Sequence, residues 1–190
     1  MTQKMNTSFT HIYECRQLSE SPASAQSPHY YYPGASTEGG RDGIVAEVRP
    51  ENGGPWLGTF AFGQITPRGV SGIFTTPDPQ RFCVVAKGQG YLVYAKVPTE
   101  WESVRATPII DVRLIPAQGI IVFAEFTRLV AYGESGIKWR TKSLTWDNLE
   151  ITEVTDAIIK GEFWDIRSEA TANFTVDLET GTHHGGIKEA

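Results

Sequence analysis

From Gly43 onward, the sequence alternates short apolar runs with turn residues. The runs are rich in Val, Ile, Phe, Tyr and Trp, and Gly, Pro, Asp or Asn separates them. Such runs predict β-strands, and they lie too close together for the crossover helices that parallel strands require. The pattern therefore predicts an all-β fold, built as an antiparallel meander. The predicted strands are 43–48, 56–62, 70–75, 82–87, 91–97, 109–115, 119–125, 128–132, 137–142, 149–154, 158–164 and 173–178.

One short segment predicts a helix instead of a strand. Thr99 is followed three positions later by Glu102, which is the spacing of a helix capping box. Pro98 and Pro108 bracket the segment. We therefore expect one short helix near 99–106.

Residues 1–42 differ in composition from the rest of the chain. They are rich in Ser, Pro and Gly, and Ile12 and Leu18 are their only Ile, Leu or Val residues. A stretch so poor in aliphatic side chains cannot build a core of its own. We expect 1–42 to form an irregular arm whose tyrosines dock on a single all-β domain at 43–190.

Three glycines at predicted turns indicate an internal repeat. Gly90, Gly136 and Gly181 each follow an apolar run, at separations of 46 and 45 residues. A repeat of about 45 residues made of short strands has the length of a propeller blade. We expect equivalent turns with positive φ at the three glycines. We also expect the strands 43–48 and 173–178 to be edges that pair with each other or lie at a two-fold interface.

Several segments of this repeat resemble known sequences. The segment 130–141, with Val-Ala-Tyr, Gly136 and Trp139-Arg140-Thr141, resembles a blade of quinoprotein-type (PQQ-repeat) β-propellers. The segment 177–181, Asp-Leu-Glu-Thr-Gly, resembles a turn of the same repeats. The blocks 144–149, 161–165 and 174–181 also resemble a group of uncharacterised bacterial proteins, a resemblance that implies no activity.

The resemblance implies propeller-blade-like sheets, but the chain departs from the quinoprotein pattern in two respects. Quinoproteins of this type hold their cofactor with adjacent cysteines, whereas the cysteines here are Cys15 and Cys83. We therefore expect no cofactor. The repeat also accounts for at most about two and a half to three blades, whereas closed propellers have four to eight. The alternatives are protomers that associate to close a ring, or a β-sandwich or open barrel.

Composition and charge argue against several functions. The 190 residues include 17 Lys and Arg against 22 Asp and Glu, a net charge of −5, which disfavours binding to nucleic acid or to an anionic membrane. No apolar run reaches the roughly 18 residues of a membrane span, and the N-terminus has no recognisable secretory signal. We expect a cytoplasmic protein in which Cys15 and Cys83 are free thiols.

The polar residues form no recognisable catalytic motif. The pair His183-His184 is the most metal-like feature, but neighbours on a strand point to opposite faces, so we expect no metal site there. The carboxylates are scattered, whereas a glycosidase needs two of them across one cleft. Asp147 and Asp177 each precede turn residues and are typical of turns.

The aromatic residues are the remaining candidates for binding. Trp and Tyr dominate the energetics of protein interfaces, and the chain has 5 Trp and 7 Tyr. The candidate binding residues are Tyr30, Tyr31, Tyr32, Trp56, Trp101 and Trp164.

The sequence favours a non-catalytic binding or protein-interaction function, with a protein partner or self-association into a homo-oligomer. Two alternatives stay open. A carboxylate-based hydrolase acting on a sugar or small molecule requires convergent carboxylates in one cleft. A regulatory or immunity-type partner protein requires a flat aromatic patch.

Overall fold

β-Strands are the dominant secondary structure, with 51% of the described residues in strands and 2% in helix. The computed structural model describes residues 5–20, 27–63 and 66–187. The only helix within these ranges is a single 3-10 turn at Pro116–Gln118. The all-β prediction is confirmed. The strands are β1 (Tyr13–Leu18), β2 (His29–Tyr32), β3 (Gly43–Pro50), β4 (Trp56–Ala61), β5 (Gly72–Thr75), β6 (Arg81–Ala86), β7 (Gln89–Tyr94), β8 (Trp101–Ser103), β9 (Asp111–Ile115), β10 (Ile120–Ala124), β11 (Leu129–Gly133), β12 (Gly136–Arg140), β13 (Glu150–Val154), β14 (Ile158–Asp165), β15 (Ala170–Asp177) and β16 (His183–Gly185).

In the described residues these strands form four sheets of four strands each, which follow one another along the chain. The second, third and fourth sheets are antiparallel meanders in chain order, β5–β8, β9–β12 and β13–β16. The first sheet has the order β1-β3-β4-β2, and β2 runs parallel to β4. The predicted antiparallel meander is therefore confirmed, and the relationship to quinoprotein blades stays a prediction.

Equivalent strands recur every 39 residues rather than every 45. The first strands of the last three sheets, β5, β9 and β13, begin 39 residues apart. Gly136 and Gly181 have positive φ at the turns into β12 and β16, but Gly90 lies inside β7. The glycine with positive φ nearest to it is Gly88, at the turn between β6 and β7. The spacing of the three glycines therefore does not mark equivalent turns.

The sheets pack face to face through apolar clusters. One cluster joins the first sheet to the second, another joins the second to the third, and another joins the third to the fourth. Across residues 5–20, 27–63 and 66–187, no such cluster joins the fourth sheet to the first. The sheets therefore form an open stack with two free ends.

Four central strands have hydrophobic patterns that match the positions of their sheets in the stack. β6 and β10 are buried at every position, as expected for strands that are covered on both faces. β3 and β14 alternate buried residues with more exposed ones, as expected for strands covered on one face. β4, the other central strand of the first sheet, departs from this pattern, because it is buried at every position although its sheet ends the stack.

Buried aromatic side chains also form hydrogen bonds from one sheet to the next. The Trp56 indole N–H donates to the Ala95 carbonyl (2.7 Å), and the Trp139 indole N–H donates to the Leu178 carbonyl (2.8 Å). The Tyr132 hydroxyl accepts a hydrogen bond from the backbone N–H of Arg105, which follows β8 (2.9 Å). A buried polar group without a partner costs roughly 1–3 kcal/mol, so these bonds favour one relative position of the sheets.

The predicted helix at 99–106 is wrong, because Trp101–Ser103 forms β8 at the edge of the second sheet. Glu102 does not cap a helix, and its carboxylate accepts a hydrogen bond from the Arg81 guanidinium at 2.6 Å. The Trp101 ring packs edge-on against Tyr32 of the first sheet, with centroids 5.7 Å apart. A helix of eight residues is marginal by itself, and these tertiary contacts outweigh its propensity.

The segment 1–42 is part of the first sheet rather than an irregular arm. β1 pairs with β3 and β2 pairs with β4, while residues 1–4 and 21–26 lie outside the described residues. Tyr32 is fully buried, and its ring stacks on Phe60 at 4.6 Å. The tyrosines of this segment predicted that it packs on the domain. The strand pairing was not predicted, because β2 buries aromatic side chains and has no aliphatic ones.

Neither of the two predicted edge strands is an edge. The strand predicted at 43–48 is β3, which lies between β1 and β4. The strand predicted at 173–178 belongs to β15, which lies between β14 and β16. Each is paired on both sides within its own sheet, so the two do not pair with each other.

We expect the Trp139→Phe variant to be less stable than the wild type. The change removes the N–H that satisfies the buried Leu178 carbonyl and leaves a small void, so the free energy of unfolding should fall by about 2 kcal/mol. Trp146→Phe, at a tryptophan that is 50% exposed, should change it by less than about 0.5 kcal/mol. Urea unfolding followed by circular dichroism measures both. Equal losses in the two variants would contradict the role of the Trp139 hydrogen bond.

Candidate functional site

Four of the six candidate binding residues meet between the first two sheets. Tyr30 packs edge-on against Trp56, and Tyr32 against Trp101, with ring centroids 5.7 Å apart in both pairs. Tyr32 and Trp56 are buried, and desolvation raises the pKa of Tyr32 well above its usual range. Tyr32 and Trp56 are therefore core residues of the contact between sheets and present no surface to a ligand.

Tyr31 lies on the other face of β2, at the outside of the stack. Its ring stacks on His29 with centroids 4.4 Å apart, and the His29 Nε2 lies 2.8 Å from the Thr59 hydroxyl. Desolvation lowers the pKa of His29, so its imidazole is neutral at pH 7. Tyr31 is half-buried by these contacts.

A groove lies beside Tyr31 at the rim of the first two sheets. Two cavities of about 420 and 270 Å³ share Pro33 and Arg41 in their linings. The Arg41 side chain is exposed, and no carboxylate of the described chain forms an ion pair with it. The buried hydroxyls of the groove are already bonded, since Thr59 contacts His29 and Tyr91 donates to the Ala61 carbonyl. The groove therefore offers a ligand few unused polar groups.

A cavity of about 500 Å³ contains two carboxylates. Glu14 and Glu51 line it together with His11 and Arg49. Both glutamates are exposed, whereas the general acid of a carboxylate-based hydrolase is kept protonated by burial. The cavity therefore has the two carboxylates that the hydrolase alternative requires, but neither of them is buried as a general acid would be.

Potential metal ligands stay apart in the part of the chain that the structure describes. No three His, Cys, Asp or Glu residues are close enough to hold an ion. His183 and His184 are successive residues of β16. Asp177 forms its turn as predicted, because its Oδ1 accepts the backbone N–H groups of Glu179 and Thr180 and also the Thr180 hydroxyl. These hydrogen bonds hold the pKa of Asp177 below its usual value.

Both cysteines are free thiols, as predicted. Cys83 is buried and Cys15 is half-buried, and desolvation raises the pKa of both thiols. A nucleophilic cysteine requires a lowered pKa. Neither thiol is therefore suited to covalent catalysis.

The outer face of the fourth sheet is a free end of the stack. On β14, Ile159 and Phe163 pack towards the third sheet. Because side chains alternate along a strand, Lys160, Glu162 and Trp164 point outward. The last layer of a stack requires polar outward residues, since no further layer covers it. Trp164 departs from this rule: it is 54% exposed, and its side chain makes no ring contact or hydrogen bond with the described residues.

Three further exposed residues lie near the ends of β13 and β14. Ile166, in the turn between β14 and β15, is 73% exposed, and Trp146, in the loop before β13, is 50% exposed. The Arg167 guanidinium lies 5.4 Å from the centroid of the Trp146 ring. We call Trp146, Trp164, Ile166 and Arg167 the terminal aromatic patch. Trp and Arg are the residue types most enriched at the energetic centres of interfaces.

Sequence reasoning identified only Trp164 of this patch as a binding residue. Trp146 carried a signal that was available, because the turn residues Asp147 and Asn148 follow it and place it in a loop. Ile166 and Arg167 carried none, since their exposure arises only when β14 and β15 pair as a hairpin. The binding role of all four residues is a prediction.

The sequence matches no protein-family model and no curated protein. No helix in the described ranges is both long enough and apolar enough to cross a membrane. A functional assignment therefore depends on the geometry of this chain.

Adjacent residues of β14 should respond differently to truncation. Phe163→Ala removes a buried ring from the cluster between the third and fourth sheets, so the free energy of unfolding should fall by about 3 kcal/mol or more. Trp164→Ala removes an outward ring and should change it by less than about 0.5 kcal/mol. Chemical denaturation of both variants measures the difference. A loss of about 2 kcal/mol or more in Trp164→Ala would mean that this ring stabilises the fold.

Proposed function

We propose that the protein is a non-catalytic binding protein that docks a partner protein on the terminal aromatic patch. The observation that carries the proposal is the exposure of Trp164 and Ile166 at an end of the stack where the fold requires only polar residues. Apolar surface contributes roughly 25 cal/mol for each Å² removed from water. In the free protein the patch stays in contact with water. Binding of a partner that covers it would be stabilised by this free energy.

The arrangement of the patch also supports binding. Trp164, Ile166 and Arg167 follow one another closely in sequence, and the Arg167 guanidinium lies over the Trp146 ring. A side chain that is already held in place loses less conformational entropy when a partner binds. Isolated exposed residues such as Val97 need no such explanation, whereas grouped ones do.

The other expectations from the sequence fit this proposal to different degrees. The regulatory or immunity-type alternative is a form of it, in which docking blocks the partner's own site. The hydrolase alternative has only the exposed pair Glu14 and Glu51 in its support. A second copy of the chain is one partner that the patch fits, which would make the protein a homo-oligomer, and the cytoplasmic location stays part of the proposal.

Paired variants test the proposed docking surface. Affinity capture from the native cell identifies a partner, and calorimetric titration of the purified partner gives its affinity. Trp164→Ala and Ile166→Ser should each weaken binding by at least about tenfold, the effect of losing a central interface residue. Ile137→Ser is the matched control, because Ile137 is 43% exposed but lies on β12 of the third sheet.

The same variants identify self-association. If the wild type sediments as an oligomer and Trp164→Ala sediments as a monomer, the partner is a second copy of the chain. A partner whose affinity falls with Ile137→Ser and not with Trp164→Ala would overturn the assignment of the patch.

A further inference from the structure

Two glutamates lie directly opposite each other beside Trp164. Glu150 of β13 is paired in register with Glu162 of β14, so both side chains project from the outer face with Cβ atoms about 5 Å apart. Like charges at opposed positions destabilise a sheet. The neighbouring pair has opposite charges instead, since Glu153 opposes Lys160 and their charged atoms are 2.8 Å apart.

No cation of the described chain compensates Glu150 and Glu162. Neither carboxylate forms an ion pair or a hydrogen bond with a side chain in residues 5–20, 27–63 and 66–187. Lys160, two positions along β14, is paired with Glu153. The residue opposite Glu162 on the other side is Asn173 of β15, which is neutral. The pair therefore presents two carboxylates at the end of the stack that form no ion pair within the described residues.

Trp164 stands next to this charge on the same face of β14. It follows Glu162 by two positions, a distance of about 7 Å along a strand. An arginine guanidinium forms two parallel hydrogen bonds with a carboxylate and also stacks on an aromatic ring. A lysine ammonium has the charge but no plane to stack. A carboxylate pair beside an exposed indole therefore favours arginine over lysine.

We infer that the outer face of the fourth sheet binds an arginine side chain of the partner protein, with its guanidinium between the Glu150–Glu162 pair and the Trp164 ring. This inference rests on the proposed function and specifies the chemistry of the partner. The partner surface presents an arginine next to an apolar residue that covers Ile166. Charge complementarity then selects a basic partner surface, in keeping with the net charge of −5 on this chain.

A pair of peptides tests the inference on the full-length protein. The probes are Ac-Gly-Arg-Ile-Arg-Gly-NH2 and the same peptide with both arginines replaced by lysine. Nuclear magnetic resonance of the Trp164 indole N–H reports binding at the site itself. The arginine peptide should shift this signal with an affinity at least about fivefold higher than that of the lysine peptide, which has the same charge.

Charge-neutral variants locate the recognition. Glu150→Gln and Glu162→Gln should each weaken binding of the arginine peptide by about threefold or more. Glu134→Gln, at an exposed glutamate in the turn between β11 and β12, should leave it unchanged. Neither Glu150→Gln nor Glu162→Gln should lower the melting temperature, because each removes a repulsion. Equal affinities of the two peptides, or no shift of the Trp164 signal, would overturn the inference.

The captured partner separates failure of the inference from failure of the proposed function. If Trp164→Ala weakens partner binding while Glu150→Gln and Glu162→Gln do not, arginine recognition is wrong and the docking surface stands. If Trp164→Ala leaves partner binding unchanged, the proposed function is wrong, and the inference fails with it. Loss of partner binding in both kinds of variant supports both.

Discussion

The apolar contact between successive sheets is the interaction on which the rest of the structure depends. A sheet with an uncovered apolar face is not stable alone, so each layer requires a neighbour. β6 and β10 are buried at every position, and their sheets therefore require neighbours on both faces. β3 and β14 alternate, so their sheets require one neighbour and end the stack. The alternating strands β3 and β14 thus mark the two end layers, although β4 of the first sheet is buried at every position.

The sequence predicted the central strands because their signal is local, and the four strands that it missed all lie at the edges of their sheets. These are β1, β2, β8 and β16, whereas the edge strands β5, β9, β12 and β13 were predicted. The segment around β8 carries the Thr99–Glu102 spacing of a helix cap, but its pairing with β7 and the packing of Trp101 beside Tyr32 of another sheet favour a strand. These four strands form because they pair with a neighbouring strand, and the sequence of a single segment carries no information about that pairing.

The candidate site was predictable only in part, for a related reason. Phe163 and Trp164 are adjacent aromatic residues, and one is core while the other is exposed. Their roles depend on the register of β14, since a shift of one residue would exchange the two faces. Trp56 has the same residue type as Trp164 and is buried between sheets. Composition therefore identifies aromatic residues, but the side of the sheet on which each one lies determines whether it can bind.

The two ends of the stack are not equivalent, and the difference supports the proposed docking surface on the fourth sheet. The outer face of the first sheet neutralises its own charges, because Arg16 and Arg49 both pair with Glu47, at 2.6 and 3.1 Å. The outer face of the fourth sheet leaves Glu150 and Glu162 opposed without a cation. An exposed like-charge pair costs only a few tenths of a kcal/mol to about 1 kcal/mol, which a fold held by contacts between its layers tolerates. A terminal face can thus carry binding residues that an internal face, filled by its neighbour, cannot.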